Sequence, residues 1–301
     1  VQLARETGAS IKEGMVERMI RHLPESTVRR LGIFSHGTES IHVHRDEPIF
    51  DGQFSNQCYQ AAVEEAFRDF RTKAEADGRW NPDDDTILTE EWARIIMHLP
   101  YAFQAKRMFP AVFAYERRDS SSWAEVESEI GQRPSIDDFD DSPDGQVEFQ
   151  KALDAYRRRI SKTAAYQEFH AERIEKGQRA SSLIGNQYTG SIFLAMMSTF
   201  ESDYESDSPL EGNRFGLCGY GSGAKAKVFE GIVHDRWREI VASWNLFERM
   251  AGRMAIDQIT YEQLHKGIHD GSVLKPHGEF ALVDVGEAGV LEGARTYAWV
   301  D

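Results

Sequence analysis

Three short segments of this chain carry residue types suited to acyl chemistry. Met97-His98-Leu99-Pro100-Tyr101 places an imidazole where an apolar run breaks at a proline. Ser181-Ser182-Leu183-Ile184-Gly185-Asn186-Gln187-Tyr188-Thr189-Gly190-Ser191 places a carboxamide in a polar turn that opens into the apolar stretch Ile192 to Met197. Gly219-Tyr220-Gly221-Ser222-Gly223-Ala224 follows the apolar run Phe215 to Cys218 and sets a hydroxyl between two glycines. Such glycines let backbone N–H groups come close to a ligand, or let the chain take positive φ. An imidazole with a pKa near ~6.5 can act as acid or base around neutral pH. Amide, hydroxyl and main-chain N–H donors polarise a thioester carbonyl and hold the oxyanion that develops on it.

Each segment also has a structural explanation when taken alone. His98 can be a core histidine with one ring nitrogen satisfied. Asn186 can cap the helix that begins near Tyr188. Gly221-Ser222-Gly223 can be a tight turn, and its spacing does not match a nucleophile elbow. Cys58 and Cys218 fall on apolar faces with no neighbouring cation, so both read as buried thiols. Two cysteines make no disulfide framework, and reduced thiols in the cytoplasm are expected. His36, His42 and His44 cluster with Glu39 and Asp46. On a strand, His42 and His44 would share a face, but no third ligand follows at diagnostic spacing, so no metal site is expected.

The elements that must position these groups can be read from periodicity. Glu13 to Leu23 has helical spacing, Leu31 to Phe34 is a short apolar run, and Ser40 to His44 alternates like a strand. Asn56 to Ala76 reads as a long amphipathic helix with Tyr59, Val63, Ala66, Phe67 and Phe70 on one face. Thr89 is placed to cap a short helix, Arg94 to Leu99 reads as a buried strand, and Phe103 to Tyr115 as a helix. Residues from Arg117 to Pro143 are polar and acidic, which predicts an insertion or mobile connection spanning about 117–146. Val147 to Lys176 reads as helical and Tyr188 to Ser202 as a buried helix. Arg214 to Gly219 and Ala226 to Val233 read as strands, and Trp237 to Met254 as one helix. A short helix at Thr260 to Lys266 and strands at Glu279 to Gly286 and Ala294 to Val300 close the chain. Alternating helices and strands give an α/β class.

Composition narrows the function classes. No stretch approaches the ~20 apolar residues that span a bilayer, so no membrane role is expected. A net charge of −15 argues against nucleic acid as the partner. The acidic runs Asp83 to Asp85, Asp137 to Asp141 and Glu201 to Asp207 read as solvated loops. The chain opens on Val1 with no secretory signal, which suggests a processed or truncated start.

Taken jointly and in order, the three segments resemble the hydroxymethylglutaryl-CoA synthase family of the thiolase superfamily. Asp51-Gly52-Gln53-Phe54-Ser55-Asn56-Gln57-Cys58-Tyr59 resembles the start of that family's second half, and Gly293-Ala294-Arg295-Thr296-Tyr297 its C-terminal strand. The resemblance runs from about Asp46 onward. It implies a thiolase-like layered αβαβα fold, with this chain supplying mainly the C-terminal half over 46–301. Residues 1–45 would then be the tail of the first half or a linker.

The resemblance also implies roles. The family condenses acetyl-CoA with acetoacetyl-CoA, using a cysteine as acyl carrier and a glutamate as acid and base. By motif match, His98 would hold the acetoacetyl thioester, while Asn186 and Ser222 would shape the site. Tyr188, Pro100, Gly221 and Gly223 would line it. The family often places a lysine five residues past the histidine for CoA phosphates. Here that residue is Phe103, and Lys106 and Arg107 follow as substitute cations. No cofactor is expected to be tightly bound, and coenzyme A thioesters are the implied substrates. The family's cysteine and glutamate segments find no match here. The resemblance thus implies an oligomer with a partner chain, or an N-terminal region, that carries them. Two alternatives stand beside this reading. One is a synthase acting on acyl-carrier-protein substrates in polyketide β-branching. The other is a non-catalytic scaffold half of a condensing enzyme.

Overall fold

The computed structural model describes residues 52–81, 86–221, 224–269 and 271–301. The readings at 13–23, 31–34 and 40–44, the histidine cluster and Asp83 to Asp85 lie outside the described residues. The chain divides into two compact units, the first ending at Asn245 and the second running from Leu246 to Asp301.

The first unit is built on a three-stranded sheet of β1 (Trp92–Met97), β2 (Arg214–Gly221) and β3 (Lys225–Ile232). The order is β1-β2-β3, with β1 parallel to β2 and β3 antiparallel. A parallel pair needs a long crossover. Here the crossover carries α2 (Gln104–Arg117), α3 (Trp123–Ile130), α4 (Pro143–Ile160), α5 (Ala164–Arg173), α6 (Glu175–Ile184) and α7 (Ser191–Glu205). α1 (Gly52–Ala76) precedes the sheet.

The pleat of β2 assigns its two faces. Trp92 packs where a Cβ on Gly216 would stand, and its ring lies 6.0 Å from Phe67 and 5.4 Å from Phe70 of α1. Phe215, one residue earlier, stacks at 5.1 Å on Phe200 of α7. Alternate side chains of β2 therefore meet α1 on one face and α7 on the other. The apolar face expected for α1 is observed, with Tyr59, Val63, Phe67 and Phe70 all buried in the core.

Several local expectations are corrected. The segment expected as a mobile connection contains α3, and its Trp123, Val126 and Ile130 join the core. Apolar residues at a three-to-four spacing outweighed the surrounding polar composition. Thr89 sits inside a 3-10 turn (Leu88–Glu90) rather than at a cap. The long helix expected at Val147 to Lys176 is three helices. α4 and α5 are separated at Thr163, which caps α5 by accepting the Tyr166 N–H. α6 then runs on to Ile184, so the polar turn begins only at Gly185. The acidic run Glu201 to Asp207 is not all solvated, because Glu201 and Asp203 are buried on α7. The helix expected from Trp237 to Met254 breaks at Asn245, whose φ is +50°. It gives α8 (Trp237–Val241) and α9 (Leu246–Ala251).

The second unit holds α9, α10 (Gln258–His265) and a hairpin of β4 (Glu279–Val285) and β5 (Arg295–Val300). Phe280 and Trp299 pair across this hairpin at 5.5 Å and remain largely exposed. Among the described residues no helix is long and apolar enough to cross a membrane.

Candidate active site

Because β1 and β2 run parallel, their C-terminal ends leave the sheet on the same edge. His98 is the first residue past β1. Its main-chain N–H donates to the Cys218 carbonyl at 2.9 Å, so it sits against the Gly219–Gly221 end of β2. Its carbonyl accepts the Tyr59 hydroxyl of α1 at 2.8 Å. The half-buried ring lies 6.5 Å from the Tyr59 ring and 6.4 Å from that of Tyr220. Burial lowers its pKa below the usual imidazole value. A neutral imidazole offers one N–H donor and one lone pair.

The amide loop runs directly into α7, whose first turn packs on the same stretch of β2. Ile192, the second residue of α7, places its Cδ1 3.9 Å from the point where a Gly219 Cβ would stand. Within the loop, Asn186 Oδ1 accepts the Tyr188 N–H at 2.7 Å and the Ser191 hydroxyl at 3.1 Å. The Ser191 Oγ in turn accepts the Gln187 N–H at 2.9 Å. The carboxamide oxygen is thus engaged in holding the turn. Among the described residues its Nδ2 makes no hydrogen bond, which leaves two donors for a ligand carbonyl. Tyr188 is held at φ +49° and is 79% exposed. A non-glycine residue in the left-handed region stores backbone strain of a kind that clusters at functional sites.

The remaining residues singled out in the sequence fall as follows. Pro100 is half-buried two residues beyond His98. Gly221 ends β2 with open space where a Cβ would stand. Ser222 and Gly223 lie outside the described residues. Ala224, which follows them, has φ +52°. Lys106 and Arg107 are exposed in the first turn of α2, the helix that follows the His98 segment, and Arg107 reaches the Tyr101 hydroxyl at 3.3 Å. Phe103, at the N-cap of that helix, is 64% exposed.

Neither cysteine suits a nucleophile. Cys218 is fully buried, and burial pushes its thiol up to about 12. Cys58 is half-buried and also raised by burial. Among the described residues no three His, Cys, Asp or Glu side chains are grouped to hold a metal. Sequence reasoning missed Tyr59 and Tyr220 as neighbours of His98. The available signal was a tyrosine on an otherwise apolar helix face, because a buried phenol needs a partner.

Comparison with known proteins gives this geometry a family. Residues 42–275 match the family model for the hydroxymethylglutaryl-coenzyme A synthase C terminal. The hydroxymethylglutaryl-CoA synthase of Haloferax volcanii is 27% identical over 270 residues, covering 88% of this chain and 57% of that protein. The solved structure of MvaS in complex with 3-hydroxy-3-methylglutaryl coenzyme A aligns with a TM-score of 0.61 at 25% identity. That alignment covers 86% of this chain and 54% of the MvaS chain. PksG, a HMG-CoA synthase from Bacillus subtilis, shares the fold with a TM-score of 0.56 at 15% identity, over 85% of this chain and 53% of its own. The chain spans about half the length of the relatives it matches. Its α/β fold is thiolase-like, as the sequence motifs implied, and the chain belongs to the hydroxymethylglutaryl-coenzyme A synthase C-terminal family.

Proposed function

We propose that this chain supplies the C-terminal half of a condensing enzyme that joins an acetyl thioester to a β-ketoacyl thioester. The observation that carries the reading is the shared sheet edge. The His98 main chain is bonded to Cys218 beside the glycine end of β2, and Ile192, in the first turn of the helix that follows the Asn186 loop, packs 3.9 Å from where a Gly219 Cβ would stand. In the reaction, the acetyl methyl group loses a proton and its carbon bonds to the ketone carbon. The ketone oxygen takes up a proton. The His98 N–H and the Asn186 Nδ2 act as donors to the thioester and ketone oxygens, where negative charge develops. Ser222 is proposed as a further donor, with Tyr188, Pro100, Gly221 and Gly223 as lining and Lys106 and Arg107 as contacts for carrier phosphates.

The nucleophilic cysteine and the acid–base glutamate come from a partner chain or a preceding region, because Cys58 and Cys218 are a raised and a buried thiol. Exposed apolar side chains on the β4–β5 unit, among them Phe280, Trp299 and Leu291, support a covering partner. The substrates are coenzyme A thioesters. A carrier-protein substrate is the second reading, and exposed, uncharged Phe103 favours it. The test is intact-mass analysis of the chain with its co-purifying partner after incubation with acetyl-CoA. Acetylation of the partner is expected, and His98→Ala should abolish condensation while leaving that acetylation in place. No acetyl adduct on any co-purifying chain would remove the condensing reading.

A further inference from the structure

We propose that Tyr59 is a positioning residue for His98, clamping the main chain at the end of β1 while its ring, with that of Tyr220, supports the imidazole. The proposal rests on His98 being the histidine of the condensing site.

Three observations on different elements carry it. Tyr59 comes from α1, thirty-nine residues before His98, and is 2% exposed. A phenol that deep has to donate somewhere, and its hydroxyl goes to the His98 carbonyl at 2.8 Å. That carbonyl lies just past the strand, where the chain departs toward Leu99 and Pro100 and the sheet ladder stops. The His98 N–H is already fixed by Cys218 at 2.9 Å. Both polar main-chain groups of His98 are therefore held, one by β2 and one by α1.

The rings complete the clamp. Those of Tyr59 and Tyr220 are 4.4 Å apart, and the imidazole lies 6.5 Å from one and 6.4 Å from the other. The groups that face this cluster are phenols and thiols: Tyr59, Tyr101, Tyr220, Cys58 and Cys218. Desolvation alone accounts for the lowered pKa of His98. An imidazole on a rigid aromatic shelf keeps its N–H aimed at one point, which is what a preorganised donor requires.

The test uses the full protein with its co-purifying partner and the variant Tyr59→Phe, which removes the hydroxyl alone. The first readout is the His98 imidazole signal in proton–carbon NMR, assigned by its disappearance in His98→Gln. Its midpoint is expected to rise toward the free value of about 6.5 as the clamp loosens. The second is steady-state condensation, where kcat is expected to fall about tenfold with KM within about twofold of the parent. An unmoved His98 signal overturns the proposal, whatever the rate does. A moved signal with kcat intact also overturns it if His98→Ala is inactive. A moved signal with both variants fully active leaves the clamp standing and removes the condensing role of His98. Should Tyr59→Phe fail to fold, Tyr220→Leu probes the other half of the shelf with the same two readouts and the same criteria.

Discussion

The His98 main-chain N–H is hydrogen-bonded to the Cys218 carbonyl at 2.9 Å, so the candidate histidine continues the β1–β2 ladder by one rung. Its placement is a property of the sheet rather than of a loop. Moving it relative to the Gly219–Gly221 end of β2 requires breaking strand pairing. Sites built on strands hold their geometry more closely than sites built on loops. The amide is held differently. Asn186 sits in a turn whose shape depends on its own side-chain oxygen.

That difference makes Asn186→Asp an informative substitution. The carboxylate can still accept from the Tyr188 N–H and the Ser191 hydroxyl, so the turn should survive, with stability within about 0.5 kcal/mol of the parent. The two Nδ2 donors are lost, and a negative charge stands where an oxyanion would form. Condensation is expected to drop by about 10²- to 10³-fold, on the scale of losing one oxyanion donor. Thermal unfolding checks the first statement and single-turnover condensation the second. Full activity with an intact fold would take Asn186 out of the chemistry.

Gly216→Ala tests the packing that sets the β1–β2 pair. A Cβ there would stand 2.1 Å from Cε3 of Trp92. That ring has no room to move. It is fully buried, lies against Phe67 and Phe70, and its Nε1–H donates to Glu230 at 3.0 Å. Overpacking of this kind costs about 1–3 kcal/mol. A lower urea midpoint with an altered tryptophan near-ultraviolet spectrum is expected. An unchanged midpoint would mean the sheet can shift more freely than its packing implies.

Asp203→Ala should be the most damaging of these substitutions. Asp203 is fully buried on α7 and accepts two hydrogen bonds from Arg94 of β1, at 2.8 and 2.6 Å, and one from Lys176 of α6. Burial pushes its carboxyl up, but Arg94 and Lys176 outweigh burial, and the net shift is downward. Removing the carboxylate leaves a largely buried guanidinium without its partner, a loss of about 3–5 kcal/mol. Chemical denaturation reads it directly. A loss under ~1 kcal/mol would show that solvent replaces the partner.

Much of this architecture was legible in residue pattern. Tyr59, Val63, Phe67 and Phe70 repeat at helical spacing, and that face is the one buried. The apolar run Phe215 to Cys218 announced a strand over Arg214 to Gly219, and β2 is there, running two residues further to Gly221. Where pattern and structure part, long-range pairing outweighs local composition. Asp203 looks like part of an acidic, solvated run, and only the fold supplies Arg94, 109 residues away, to bury it. Trp123, Val126 and Ile130 are few among polar neighbours, yet three residues are enough to seat a helix on the core. Tyr59 was legible as core but not as a clamp, because its partner is a backbone carbonyl and no side-chain pattern marks one.

Acid should destabilise the protein in the histidine range, chiefly through His170. This residue is 4% exposed on α5, its Nε2 pairs with the Gln178 amide, and its pKa is lowered to about 4. Burial is the main cause and the nearby Lys106 charge adds to it, while the Gln178 contact opposes both. The unfolded chain takes up this proton near pH 6.5, and the folded chain does not until about pH 4. The stabilisation is therefore complete above about pH 6.5 and is lost as pH falls toward 4, by up to about 3 kcal/mol. His98, also lowered by burial, contributes with the same sign. Glu116, raised by burial, acts in the opposite sense, so the informative quantity is the difference between parent and variant. Urea unfolding at pH 7, 6 and 5 should show the parent weakening with acid and His170→Phe weakening less. Equal slopes in the two proteins would mean that the imidazole can be charged without opening the fold.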